Sequence, residues 1–322
     1  MRQLLSVAAL VLIAPAWSSG YAQTYPSRPI RVVVPFSAGG TADVIARPVG
    51  YQVGAQLGQS VVVDNRAGAN GIIGTDIVAK AAPDGYTVLH VTGSFAVNPS
   101  IYRKLPYDIF KDFAPVTSVA LGTGYLLLVN PAVKAGSVQD IIGLARKGDQ
   151  LTYSSPGVGN TIHLAAELFN VRAGIKMVHV PYKGVAPAMN AVVAGEVNVI
   201  FMPPTVVMPL VEAGKLRALA FTGAARFPRM PQLPTMIEAG VPNFELSGVW
   251  HGWFAPAKTP SAIVARLQSE VHKALQVPKV RDFIIVGGYV PDGRSPEAFR
   301  QLVKSEFERY AEMVQIANIP KE

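Results

Sequence analysis

The chain has 322 residues, half of them apolar and 16% charged, with a formal net charge of +8. It can bury a large core and exceeds the usual size of one domain, so two α/β domains are expected. Cysteine is absent, which excludes disulfides, thiol nucleophiles, cysteine zinc sites and a lipid-bearing cysteine. The basic residues are scattered singly, as at Arg47, Arg66, Lys80, Arg103 and Lys134, which argues for no nucleic-acid partner and for a surface that attracts small anions.

Residues 1–22 read as a secretory signal: Arg2 gives a positive start, Leu4 to Ala16 an apolar core, and Gly20-Tyr21-Ala22 a small-residue cleavage site. Pro15 interrupts an apolar run already too short to span a bilayer, which disfavours an anchor. Cleavage after Ala22 would remove Arg2 and lower the formal charge from +8 to +7. A freely diffusing bacterial periplasmic protein is expected.

Beyond the leader, β-rich runs at Ile30–Phe36, Val61–Asn65, Thr87–Thr92, Tyr125–Asn130, Leu151–Ser154, Met177–Tyr182, Val197–Met202 and Leu216–Thr222 alternate with helical patterns. This is the rhythm of parallel or mostly parallel sheets covered by helices. Gly195 and Gly214 stand where helices should stop. Near the end, Ile263, Val264, Leu267, Val271 and Leu275 share one helical face, and Phe299, Leu302, Val303, Phe307, Tyr310 and Val314 share another.

Two stretches carry the chemistry. "VVVPFSAGGTADVIAR" (32–47) and "LTYSSPGVGNTIHLAAELF" (151–169) each run strand, glycine-rich loop, helix. Such a turn exposes backbone N–H groups at the positive end of a helix dipole, and glycine lets an oxyanion approach closely. Two of them facing across a cleft would grip a carboxylate without an arginine. "GVGN" lacks the third glycine of a dinucleotide fingerprint, and neither loop ends in the Gly-Lys-Ser/Thr of a phosphate loop.

The segments "YPSRPIRVVVPFSAGGTADVIAR", "VVVDNRAGANGIIGTDIVAKAAPDGYT", "DFAPVT", "SSPGVGNTIHLAAELF", "VHVPYKGVAPAM", "AGKLRALAFT", "PTMIEAGVP" and "WHGWFAPAKTP" occur in this order. Together they resemble the solute-binding proteins of tripartite tricarboxylate transporters, the Bug receptors, over essentially the whole mature chain. The resemblance implies a type II periplasmic-binding-protein architecture with a cleft between two α/β domains, residues 23–123 with 248–322 and residues 124–247. Crossings near 121–126 and 245–250 would form the hinge. It further implies a small organic carboxylate as ligand, membrane permease subunits as partners, a monomer, and no cofactor or metal.

Carried onto this chain, the first pincer is Phe36, Ser37, Ala38, Gly39 and Gly40, with Thr41 and Asp43 shaping the helix start. Asp43 is expected to cap backbone donors rather than face an anion. The second pincer is Ser155, Gly157, Gly159, Asn160 and Thr161, and Ser94 would line the cleft beside it. Met202, Asn190 and Asn198 stand where relatives carry acids, which points to a ligand without an ammonium group, a dicarboxylate or an aromatic carboxylate. Pro156 and Asn160 also depart from the family pattern.

Competing readings are weaker. An exported serine hydrolase would need a histidine beside Ser155, yet no G-x-S-x-G elbow exists. His163 and Glu167 lie four apart on a helix but lack a second metal-ligand cluster. Trp250, His251 and Trp253, near the second crossing, read as packed hinge aromatics ahead of a recognition patch. A periplasmic sensor that presents its closed form to a membrane kinase is the alternative that keeps the same cleft.

Overall fold

The computed structural model describes residues 25–321, so the expected leader and its cut after Ala22 lie outside the described residues. The chain opens with β1 (Ile30–Val34), α1 (Thr41–Leu57), β2 (Val61–Asn65), α2 (Ile72–Ala79), β3 (Thr87–Thr92), α3 (Ser94–Ile101) and β4 (Phe113–Gly122). It continues with β5 (Leu126–Val129), α4 (Val138–Arg146), β6 (Thr152–Ser155), α5 (Thr161–Ala173), β7 (Val178–Pro181), α6 (Val185–Val193), β8 (Val199–Met202), α7 (Pro204–Glu212) and β9 (Arg217–Phe221). Last come β10 (Trp250–Pro256), α8 (Ser261–Gln276), α9 (Pro278–Val286), β11 (Tyr289–Pro291) and α10 (Pro296–Ile316).

The strands form two sheets, one ordered β11-β4-β10-β3-β1-β2 and the other β7-β6-β8-β5-β9. In β1, "IRVVV" is buried almost throughout because helices cover both faces of a central strand. On α8, Val264, Leu267, Val271, Ala274 and Leu275 form the buried stripe, and on α10 Phe299, Val303, Tyr310, Met313 and Val314 do so. Gly195 and Gly214 follow α6 and α7 in the left-handed region, with φ of 80° and 67°.

The mostly parallel expectation is corrected by β5 and β10. β1 pairs in parallel with β2 and β3, and β6 with β7 and β8. Every pairing of β10 and β5 is antiparallel, as is that of β11 with β4. The cause is topological: β5 and β10 enter their sheets from the other half of the molecule, not through a βαβ crossover. The aromatic run at 250–256 is thus a fully buried interior strand between β3 and β4, and the hinge reading of Trp250, His251 and Trp253 gives way to it.

The chain passes from the first sheet to the second after Gly122 and returns before Trp250. The two passages lie side by side: the Gly122 amide donates to the Val249 carbonyl at 3.0 Å, and a Cβ on Gly248 would lie 3.0 Å from the Gly124 amide nitrogen. A third strap runs beside them, where Thr123 donates through its amide and hydroxyl to the Gly288 carbonyl and Thr205 Oγ1 to that of Gly287.

Candidate functional site

In the first loop, β1 ends and Phe36–Gly40 leads into α1, whose N-cap Gly40 offers no side chain to its first-turn amides. The residues of that first turn, Gly40 to Asp43, are buried, and the helix dipole makes this end positive. Asp43 accepts the Gly39 amide at 2.9 Å and pairs with Arg47 at 2.7 Å. Arg47 also donates to Asn65 Oδ1 at 3.0 Å, and Asn65 Nδ2 donates to the Phe36 carbonyl at 3.0 Å. Burial pushes the Asp43 carboxyl up, but Arg47, the Gly39 amide and Asn65 outweigh it and hold it below the usual range. Asp43 therefore braces the loop as an anion.

The second loop starts α5. Asn160 caps that helix by accepting the Ile162 amide at 3.0 Å, while its Nδ2 donates to Ser94 Oγ and Asn70 Oδ1, each at 3.2 Å. One side chain thus ties the start of α5 to the start of α3 and to the 67–71 loop. Two glycines record how closely the halves meet: a Cβ on Gly184 would lie 2.5 Å from Ser37 Oγ, and one on Gly159 would lie 2.9 Å from the Ile101 side chain. The lips of the cleft are in contact.

The elements converge on two cavities. The inner one, about 20 Å³, is lined by Gly40, Thr41 and Ala42 of the α1 start, Asn160, Thr161 and Ile162 of the α5 start, Val185 opening α6 and Pro203 before α7. Helix starts from both sheets therefore surround one small space. The outer cavity, about 550 Å³, is bounded by Phe36 and Ser37, the 67–71 loop, Tyr102, Pro156 to Val158 and Tyr182 to Gly184. Phe36 lines both. Ser37 Oγ is buried with no hydrogen-bond partner.

Of the residues singled out from sequence, Phe36, Ser37, Gly40, Thr41, Gly157, Asn160 and Thr161 line one cavity or the other. Ser94 is buried and reaches the cleft through Asn160. Ala38 and Gly39 are exposed at the loop tip, with the Gly39 amide taken by Asp43. Ser155 lies under its loop, and Gly159 packs against Ile101.

Met202 is a correction. It is 0% exposed on β8 opposite Leu126 and lines neither cavity, because its position on the strand turns it into the core. Asn198 accepts the amide and hydroxyl of Thr152 at 2.8 and 3.0 Å, and Asn190 is exposed on α6. None of the three meets the cleft, so they carry no argument about the ligand.

Sequence reasoning missed Asn70, Tyr102, Tyr182 and Lys183. A usable signal existed at 68–71, where the glycines and asparagine of "GANG" suit positive φ: Gly68, Asn70 and Gly71 adopt it at 145°, 47° and 90°, and Ala69 is drawn into it at 45° against its own preference. Asn70 is held there by Asn98, which accepts from its Nδ2 at 2.9 Å and donates to its carbonyl at 3.2 Å. Such strain clusters at functional loops.

Behind the second loop, the rings of His163 and His179 stack 4.0 Å apart, and Tyr153 stacks on His179 at 4.8 Å. His163 Nδ1 accepts the Gly159 amide at 3.2 Å, so that nitrogen carries no proton. Burial lowers His163 to about 3, aided by His179, and burial lowers His179 to about 4. Ser155 Oγ lies 2.6 Å from His179 Nε2, but Ser155 is fully buried and ring stacking, not a carboxylate, orients that histidine. Glu167 accepts the Tyr153 hydroxyl while His163 turns to the loop, so this pair does not form a shared ligand face. Among the described residues no group of three His, Cys, Asp or Glu side chains could hold a metal.

Residues 45–319 match the family model described as the tripartite tricarboxylate transporter family receptor. BugT of Bordetella pertussis is 37% identical over 297 residues, which cover 91% of this chain and 90% of BugT. Rpa4515 of R. palustris, solved with adipate, superposes with a TM-score of 0.88 at 36% identity, covering 92% of this chain and all of that one. MatC of Rhodopseudomonas palustris, solved with bound malate, gives 0.85 at 31% identity, covering 90% of this chain and 100% of its own. The two-sheet architecture is that of periplasmic binding proteins.

Proposed function

The chain belongs to the tripartite tricarboxylate transporter receptor family, and from that premise we propose that it captures a small organic carboxylate in the periplasm and delivers it to the membrane subunits of such a transporter. The two bodies that close on the ligand are residues 23–123 with 248–322 and residues 124–247, hinged where the chain crosses between the sheets. The residues that hold the ligand are those of the two loops, Phe36 to Thr41 and Gly157 to Thr161.

The observation that carries this reading is the convergence of helix starts from both sheets on one inner cavity that no carboxylate side chain of the described residues lines. Fixed backbone donors lose little entropy on binding and bury no free charge in the empty cleft. One helix start contributes about 0.3–1 kcal/mol, up to ~2 when partly buried. Micromolar affinity needs about 8 kcal/mol, so charge-assisted hydrogen bonds and burial of the ligand's body supply the rest. The adipate and malate held by the two structural neighbours support a carboxylate as the ligand.

The test is a melting panel on residues 23–322, unfolded and refolded to strip bound ligand, with dicarboxylates, tricarboxylates, aromatic carboxylates and amino acids. We expect one class of carboxylate to raise the melting temperature without being consumed. No stabilisation anywhere, or consumption of a compound, would overturn the receptor reading.

A further inference from the structure

Resting on the receptor reading above, we infer that the outer cavity is the seat of the ligand's body and that it selects a flat, ring-bearing dicarboxylate whose second carboxylate meets Lys183. The inner cavity, about 20 Å³, is large enough for little more than one water-sized group, while the outer one holds about 550 Å³ and falls in the range of small-molecule sites. A ligand gripped by one carboxylate at the helix starts must therefore place the rest of itself outward, past Phe36, which borders both spaces.

The outer walls state what fits there. Phe36, Tyr102 and Tyr182 contribute three aromatic rings, and Pro35, Pro156 and Val158 add apolar surface. Rings prefer offset or edge-on neighbours, so a flat body gains more from such walls than a short hydroxy acid does. Lys183 carries the one charged side chain among the described residues lining this cavity, and no aspartate or glutamate lines it. An ammonium on the ligand would find no counter-charge there, whereas a second carboxylate finds one. The 182–184 loop is fixed to the second pincer, since Tyr182 N–H donates to the Ser155 carbonyl at 2.9 Å and Gly184 N–H to that of Pro156 at 3.1 Å. Closure therefore carries Lys183 with the loop that grips the first carboxylate.

Titration of residues 23–322 with benzene-1,4-dicarboxylate, benzoate and succinate, on the parent chain and on Lys183→Met and Lys183→Arg, tests this. The expected result is tighter binding of benzene-1,4-dicarboxylate than of benzoate, a loss of about fivefold for the diacid in Lys183→Met with benzoate held within twofold, and recovery in Lys183→Arg. Lys183 is exposed, so these variants should keep the fold. An equal loss for diacid and benzoate, or no loss for either, would overturn the Lys183 assignment. Binding of succinate with no binding of either ring acid would overturn the cavity's role and leave the receptor reading standing. If none of the three acids binds and the wider panel shows no stabilising carboxylate, the receptor reading falls and this inference with it.

Discussion

Histidine protonation is where single residues govern the stability of the molecule. Trp253 Nε1 donates to His90 Nδ1 at 3.0 Å, so His90 carries its proton on Nε2, which faces His251 Nδ1 at 3.3 Å. His251 then presents its own Nε2 proton to the Tyr289 hydroxyl at 3.3 Å. Every contact in this chain requires neutral rings. Burial lowers His90 to about 3, and burial together with His90 lowers His251 well below its ordinary value. With His163 and His179, four histidines are held neutral in the native state. In the unfolded chain they take protons near pH 6.5. The unfolded state therefore binds protons first, so this stability is complete above about pH 6.5 and falls as pH drops toward 4. Each such histidine costs at most about 1.4 kcal/mol per pH unit across that window. We expect the melting temperature to fall steadily from pH 7 to pH 5, before most carboxylates titrate. A melting temperature flat over that interval would contradict the neutral pairs.

At the scale of elements, helix starts from both sheets line one small cavity, and Asn160 shows how one of them does two tasks. Its Oδ1 caps α5 and its Nδ2 bridges to Ser94 at the start of α3 and to Asn70 in the 67–71 loop. Asn160→Asp keeps the capping oxygen and loses the bridging donors, whereas Asn160→Ala loses both. The expected outcome is a stability loss of about 1 kcal/mol for Asn160→Ala, a smaller one for Asn160→Asp, and weakened binding of a stabilising carboxylate in both. Urea unfolding and calorimetric titration separate the two effects, and unchanged binding in both variants would remove Asn160 from the cleft's closure.

The same scale shows what was legible in the sequence. Strand-glycine-helix turns have a local signature, so both loops could be read from the residues alone. β10 could not: "WHGWFAP" lacks alternation, and only pairing with β3 and β4, far away in the chain, makes it a strand. β4 hides likewise, because Pro115 sits where its register with β10 shifts. Met202 misled because residue type at a strand end does not reveal which way the side chain points. Tyr102, Tyr182 and Lys183 gain their place only when the two halves meet, which no local pattern encodes.

For the whole molecule, function rests on two sheets joined by adjacent passages and closed on a cleft. α10 packs on α3 and β4 and also reaches α5, so the last helix lies against both halves. Such an arrangement suits motion between a state open to solvent and a closed, liganded one. The alternation of strands and helices made the α/β class legible from the sequence, while the antiparallel entry of β5 and β10 required the structure. The most direct test is a crystal structure of residues 23–322 with the carboxylate that stabilises most in the melting panel. The account predicts one carboxylate of that ligand between the starts of α1 and α5, held by backbone amides, with the body in the outer cavity. A ligand bound outside the cleft, or one whose carboxylate faces away from both helix starts, would contradict it.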